Sequence, residues 1–204
     1  MQAAFKRMVE QANVSSITET GTYHGESTLE FAKMVGHVIT IESDEFNFQV
    51  AGQNLEMAID CGLVTLCWAD SAKVFREMVM LRGYRHGTDL FFLDAHYKEE
   101  WPLLDELQGI NRIRAESEVK TTVVIDDFFV PDRPNFAGCY GGLRGDDSKG
   151  RESELIPCGY NDPFAAELDR FPFFQYPDYP EPSLGYCIAS DFDFDLGPNF
   201  KRIR

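Results

Sequence analysis

The chain has 204 residues, 44% of them hydrophobic and 26% charged, which is enough for one α/β domain with a sizeable core. Its net charge of −15 argues against general affinity for nucleic acid, which needs Lys and Arg to replace phosphate counterions, and against anionic membranes. No apolar run approaches the length that spans a bilayer.

Residues 1–12 lack an apolar signal core and a small-residue cleavage pattern. They predict an amphipathic helix and a cytoplasmic protein. Residues 15–20 (SSITET) predict a short strand running into a glycine turn. A helix over 26–35 follows, with Glu26 or Ser27 near its start and Gly36 just past its end. Residues 38–41 (VITI) are a β-branched run that ends at Glu42. Over 46–59, Ala51, Leu55, Ala58 and Ile59 recur at helical spacing. Residues 63–67 are strand-like, and 71–81 are helical, with Val74, Phe75, Met78 and Leu81 on one face. Residues 89–93 (DLFFL) form an apolar strand. Pro102 stands where a first helical turn tolerates it, and Leu103, Leu104, Leu107 and Ile110 make the buried stripe behind it. Residues 121–125 (TTVVI) are the fifth strand.

These strands are continuous apolar runs, the mark of a parallel sheet covered on both faces. Repeated βα units make a doubly wound sheet the economical fold. Strand ends then share one edge, where ligands bind; residues 19–25, Glu42, Asp70, Asp94 and Asp126 fall there.

From 131 to 163 the chain turns Gly-rich and polar, which predicts a lid or mobile binding loop. A short helix at 164–168 precedes two strands, 173–176 and 186–189, expected as an antiparallel hairpin at the sheet edge. The tail 191–204 (DFDFDLGPNFKRIR) is expected as a surface extension. No repeat or second domain is visible, so 1–204 reads as one domain. Five cysteines, at 61, 67, 139, 158 and 187, form no CxxC pair and fit no zinc template. Free thiols in a reducing compartment suit them better than disulfides.

The string ETGTYHGEST places Gly21 and Gly25 between the first strand and the first helix. Gly21 allows a sharp turn and close backbone approach to a ligand, and exposed N–H groups at a helix start favour a polar ligand group. The pattern is G-x-x-x-G after an acid, not the G-x-G-x-x-G of dinucleotide folds. A tight βα turn is the simpler account. Glu42, closing VITIE, can accept both hydroxyls of a ribose, or it can cap a helix in competition with Asp44.

Taken together, these residues resemble class I S-adenosylmethionine (SAM) dependent methyltransferases. Glu19-Thr20-Gly21-Thr22-Tyr23-His24-Gly25 is similar to their first motif, and Glu42 to their ribose-binding acid. Asp70-Ser71 in CWADS is similar to the motif flanking adenine. Asp94 in FFLDAHY and Asp126-Asp127 in VVIDDF are similar to the motifs after strands four and five. The order and spacing of all five match over roughly residues 1–130. The resemblance implies a Rossmann-like, doubly wound, mostly parallel seven-stranded sheet with the C-terminal hairpin as strands six and seven. It implies SAM as cofactor, held by Glu19, Gly21, Thr22, Tyr23, Gly25, Ser27, Glu42, Ser43, Trp68, Asp70, Ser71 and Asp94.

Within that class the chain is similar to metal-dependent small-molecule O-methyltransferases of the catechol and macrolide-sugar types and to the cephalosporin-hydroxylase-like group. That implies Mg²⁺ on Asp94, Asp126 and Asp127, and a small hydroxylated metabolite as methyl acceptor. One departure is D-A-H at 94–96, where the sugar enzymes often carry D-G-D. Methyl transfer is an in-line displacement that depends on positioning, and a metal on the acceptor hydroxyl lowers its pKa. Three carboxylates suit a hard ion, and neighbouring strand ends lie only about 5 Å apart. The same acids can equally cap the following helices.

Asp94 and His96 are the expected catalytic residues, His96 because imidazole titrates near neutral pH. Lys98, beside Glu99 and Glu100, reads as solvated, and His24 as a cofactor or substrate contact. Trp68, Tyr97, Trp101, Phe128 and Phe129 also fall near strand ends, with Trp68 the preferred adenine neighbour, although core packing accounts for any one of them. A SAM-binding protein without transferase activity, or a hydroxylase-like relative, is the competing reading. The missing G-x-G-x-x-G argues against an NAD oxidoreductase. The absence of a basic groove and of an N-P-P-Y-like tetrad argues against a protein or nucleic-acid methyltransferase. Either 131–163 or the second subunit of a homodimer is left to close the site.

Overall fold

The computed structural model describes residues 2–78, 88–95, 102–117, 119–126, 164–177 and 186–202. Five strands run parallel: β1 (Val14–Thr20), β2 (His37–Glu42), β3 (Val64–Trp68), β4 (Thr88–Leu93) and β5 (Thr121–Ile125). Three more, β6 (Phe173–Pro177), β7 (Cys187–Ser190) and β8 (Phe200–Arg202), are antiparallel additions. Among the described residues the sheet order is β3-β2-β1-β4-β5-β7-β6-β8. The helices are α1 (Gln2–Ala12), α2 (Glu26–Ala32), α3 (Glu45–Asn54), α4 (Glu56–Asp60), α5 (Ser71–Met78), α6 (Leu103–Ser117) and α7 (Phe164–Leu168).

The central strands are apolar throughout because both faces are covered. Leu90 and Phe92 of β4 join one core with Phe5, Met8 and Phe31, while Phe91 and Leu93 join a second with Phe75, Leu107 and Ile110. Successive side chains thus anchor helices on opposite faces. In the first core the rings of Phe5, Phe31 and Phe92 pack within 5.5 Å of one another. Register aligns the strand ends: Thr20 lies opposite Ile41 on one side and Leu93 on the other, and Leu93 lies opposite Ile125. The connections diverge between β1 and β4, the topological switch point at which such sheets form a crevice.

The structure corrects several boundaries. Among the described residues the sheet has eight strands rather than the expected seven. The tail is no surface extension: Phe194 is 1% exposed and Leu196 is also buried, and β8 pairs with β6 as the true edge strand. Buried Phe194 and Leu196 alternate with exposed Asp193 and Asp195, whereas Asp191 turns in to pair with Arg114. The two strands expected as an antiparallel hairpin do pair so, with β7 against β5 and β6 outside it. The single helix expected over 46–59 breaks at buried Leu55 into α3 and α4. Leu104 of the α6 stripe is only half-buried, whereas Leu103, Leu107 and Ile110 are buried as expected.

The tail is also tied to the first helix. The Gln11 side-chain amide donates to the Asp195 carbonyl at 2.9 Å and accepts from its N–H at 3.0 Å. Cys61, Cys67 and Cys187 are free thiols; Cys139, Cys158 and the expected loop 131–163 lie outside the described residues. No helix among the described residues is long and apolar enough to cross a membrane.

Candidate active site

Gly21 leaves β1 with φ +81°, and its N–H donates to the Ile41 carbonyl at 3.0 Å. A Cβ there would lie 2.4 Å from the Asp94 carbonyl oxygen, so glycine is required for conformation and for space. Two residues on, Tyr23 also takes a positive φ, 51°. This turns its N–H onto Glu42 Oε2 at 2.8 Å, while the Asp44 N–H reaches Glu42 Oε1 at 2.8 Å. Glu42 is 6% exposed and held at both oxygens. Asp44 itself caps α3, accepting from the Asn47 N–H at 2.9 Å, so capping and the Glu42 role fall to different acids. His24 stacks on Tyr23, ring centroids 3.8 Å apart.

Around these groups opens a cavity of about 580 Å³ at the carboxyl ends of the parallel strands. Of the residues expected to bind cofactor, Gly21, Tyr23, Glu42, Ser43, Asp70, Ser71 and Asp94 line it. Sequence reasoning missed Asp44, Asn47, Arg76 and Asp105, which also line it. Asp44 and Asn47 lie in or beside the first turn of α3, directly after β2, which was the available signal, whereas Arg76 lies in the last turn of α5. The lining carries five carboxylates (Glu42, Asp44, Asp70, Asp94, Asp105) and one guanidinium, from Arg76. It is suited to hydroxyl donors and to cations.

The structure does not bring Glu19, Thr22, Gly25, Ser27 or Trp68 into that lining. Glu19 is 0% exposed and accepts from Ser27 Oγ (2.5 Å), Thr28 Oγ1 (2.5 Å) and Thr40 Oγ1 (2.7 Å). Burial raises its pKa, the three hydroxyls oppose that, and the Glu42 charge adds to it. Glu19 therefore binds α2 to β1 and β2 from behind the turn, and Ser27 is its donor. Thr22 is buried against Thr40, their hydroxyls 2.6 Å apart. Gly25 begins α2 with φ +86°, where a Cβ would meet the Leu55 side chain at 2.8 Å. Its smallness serves helix packing rather than ligand approach. Trp68, 57% exposed, stands on the rim, donating to the Ser43 carbonyl at 3.3 Å and stacking on Phe48.

Asp70 accepts from the Lys73 N–H at 3.3 Å and caps α5. Ser71 donates to Glu106 Oε1 at 2.5 Å. Burial, reinforced by the nearby Asp70 and Asp105 charges, pushes the Glu106 pKa up to about 7. At the opposite end of β4, burial pushes Asp89 up to about 6.

Asp94 and Asp126 follow the paired ends of β4 and β5; the Asp94 N–H donates to Thr20 O and the Asp126 N–H to Leu93 O. Among the described residues no group of three or more His, Cys, Asp or Glu is arranged for a metal ion. Asp127, the third acid of the expected set, lies outside the described residues. So do His96, Tyr97, Lys98, Trp101, Phe128 and Phe129. The two strand-end acids fit the oxygen-donor chemistry of a hard cation.

No protein-family model and no curated protein matches this sequence. Solved structures do match. An O-methyltransferase from Bacillus cereus in complex with SAH is 18% identical, with TM-score 0.56, covering 93% of this chain and 80% of that one. The O-methyltransferase TomG from Streptomyces achromogenes, involved in tomaymycin synthesis and solved in complex with SAM, is 17% identical, with TM-score 0.57 and coverage of 93% and 78%. Spermidine synthase from Thermotoga maritima is 16% identical, with TM-score 0.55 and coverage of 94% and 56%. The likeness is one of fold: a Rossmann-like sheet of the kind that methyltransferases use.

Proposed function

We propose that this chain is a SAM-dependent methyltransferase that holds the donor in the cavity at the sheet edge and methylates an oxygen of a small hydroxylated metabolite. The observation that carries the reading is Glu42. Each of its oxygens already accepts one backbone N–H, which fixes the carboxylate plane. A carboxylate has about four acceptor positions, so two remain for the vicinal hydroxyls of a ribose. Gly21, next along the edge, lets the amino-acid portion of the donor approach bare backbone. Asp70 and Ser71, at the end of β3, would flank the adenine, with Trp68 on the rim beside it. Asp94 would stand between donor and acceptor. Glu19, Thr22, Gly25 and Ser27 serve by shaping the glycine turn.

A divalent ion, when bound, lowers the pKa of the acceptor hydroxyl and fixes its direction. Asp94 and Asp126, with Asp127 from the sequence, are the residues that would hold it. His96 is the candidate general base. The proposal includes a cytoplasmic setting, in keeping with the free thiols, and a small-molecule rather than nucleic-acid acceptor, in keeping with the acidic charge. Closure of the site is assigned to residues 131–163 or to a second copy of the chain.

Calorimetric titration with SAM and with S-adenosylhomocysteine (SAH) tests the donor. Saturable binding supports the reading, and no heat at millimolar ligand sinks it. A labelled-methyl screen over phenolic, catecholic and sugar hydroxyls, run with Mg²⁺ and with EDTA, then separates a transferase from a protein that binds SAM without turnover. NADH serves as the control ligand and should not bind.

A further inference from the structure

The stripe by which α6 packs runs Leu103, Leu107, Ile110 and Ile113, all buried. Glu106 falls within it, 1% exposed. A carboxyl so placed is costly unless it is hydrogen-bonded. The packing of α5 on α6 shows what it meets. Gly109 lets the two helices approach so closely that a Cβ there would sit 2.6 Å from Phe75 Cβ. One turn nearer the sheet edge, the same approach brings Glu106 against Ser71, whose hydroxyl donates to it at 2.5 Å. Glu106 thus lies beneath the cavity and is tied to the start of α5 through Ser71.

Ser71 is the member of this group that lines the cavity. A serine hydroxyl has one proton and two lone pairs. Above pH 7, where Glu106 is an acceptor-only carboxylate, the Ser71 proton is donated to it and Ser71 offers only lone pairs to a ligand.

We propose that Glu106 is a specificity-setting positioning residue, which by holding the Ser71 proton makes this part of the cavity wall an acceptor and so selects a purine that donates from its 6-position. Adenine does so through its 6-amino group, whereas hypoxanthine carries an acceptor oxygen there and its donor at N1. The inference rests on the reading that the cavity takes the nucleoside of SAM. It adds how the base is chosen and which buried group chooses it.

The test is calorimetric titration of the full chain with SAH and with S-inosylhomocysteine, its 6-oxo counterpart. Wild type is expected to favour SAH by about tenfold or more, the scale on which unmatched hydrogen-bonding groups discriminate. In Glu106→Gln the side-chain amide can donate to Ser71 and free the Ser71 proton for the ligand, so the preference should fall to within about threefold. Ser71→Ala should lose it to the same extent, and the double variant should lose no more than either single one. A purely structural role for Glu106 would lower the melting temperature without moving the ratio. A wild-type ratio in folded Glu106→Gln overturns the proposal and leaves SAM binding intact. If Glu106→Gln does not fold, Ser71→Ala decides the matter, and a wild-type ratio there overturns the proposal equally. Failure of wild type to bind either ligand removes the SAM reading, and this inference with it.

Discussion

Gly21 and Asp94 meet backbone to backbone across the floor of the cavity, with 2.4 Å between the Asp94 carbonyl oxygen and the place a Cβ on Gly21 would take. Neither partner can yield cheaply, since both belong to paired ends of adjacent strands. Gly21→Ala should therefore be destabilised by at least about 2 kcal/mol, from the positive φ and the clash together. It should lose SAM binding as the turn is displaced. Urea denaturation and calorimetry on the same preparation check both, and wild-type behaviour in either would contradict the geometry.

Glu42→Gln replaces one acceptor oxygen with an NH₂ that must face the N–H of Tyr23 or Asp44. Hydrogen bonds to charged groups contribute about 1.5–3 kcal/mol each. SAM affinity should accordingly fall by about 10- to 100-fold. The fold should survive, because the carboxylate borders the cavity rather than the core. Circular dichroism alongside the titration separates the two effects.

Glu19 behaves in the opposite way. Glu19→Ala leaves the buried hydroxyls of Thr28 and Thr40, and the half-buried one of Ser27, without their common acceptor. A loss of about 3 kcal/mol in stability is expected, read from the urea midpoint. Restoring the acceptor with Gln should recover part of it. A variant as stable as wild type would show that the hydroxyls find other partners.

The raised pKa of Glu106 makes stability pH-dependent in a definite sense. Folded, the group titrates at about 7 rather than at its ordinary 4.5, so between those values the native state holds a proton that the unfolded chain has released. Stability is full below about pH 4.5 and declines as pH rises through 7. The decline attributable to this group is about 3 kcal/mol. Asp89, pushed up to about 6, adds a decline over a lower window. Melting temperatures from pH 5 to 8 should show the slope, and Glu106→Gln should flatten its upper part. An unchanged slope in that variant would place the titration elsewhere.

The parallel sheet was legible because TTVVI, DLFFL and VITI are uninterrupted apolar runs, and a buried parallel strand must be one. Glu42 was legible because its place follows directly from the end of such a run. Glu19 was not. A motif gives its position but not the three hydroxyls, from α2 and β2, that fold over it. Asp105 and Arg76 enter the cavity only through the placement of α5 and α6 against the sheet, which no local pattern records. Glu106 carries no motif in the sequence, and only the close approach at Gly109 reveals its partner Ser71. The tail was not legible for a different reason: the sequence does not say that Phe194 and Leu196 join the same core as α1.

The clasp between Gln11 and Asp195 spans 184 positions, and the apolar residues around it, Phe5 and Met8 from the beginning and Phe194 and Leu196 from the end, belong to one cluster. Contacts so distant along the chain close late in folding. During synthesis this corner of the core stays open until residues 194–196 have been made, so α1, although Phe5 meets Phe31 and Phe92 early, keeps part of its apolar face bare over the whole interval.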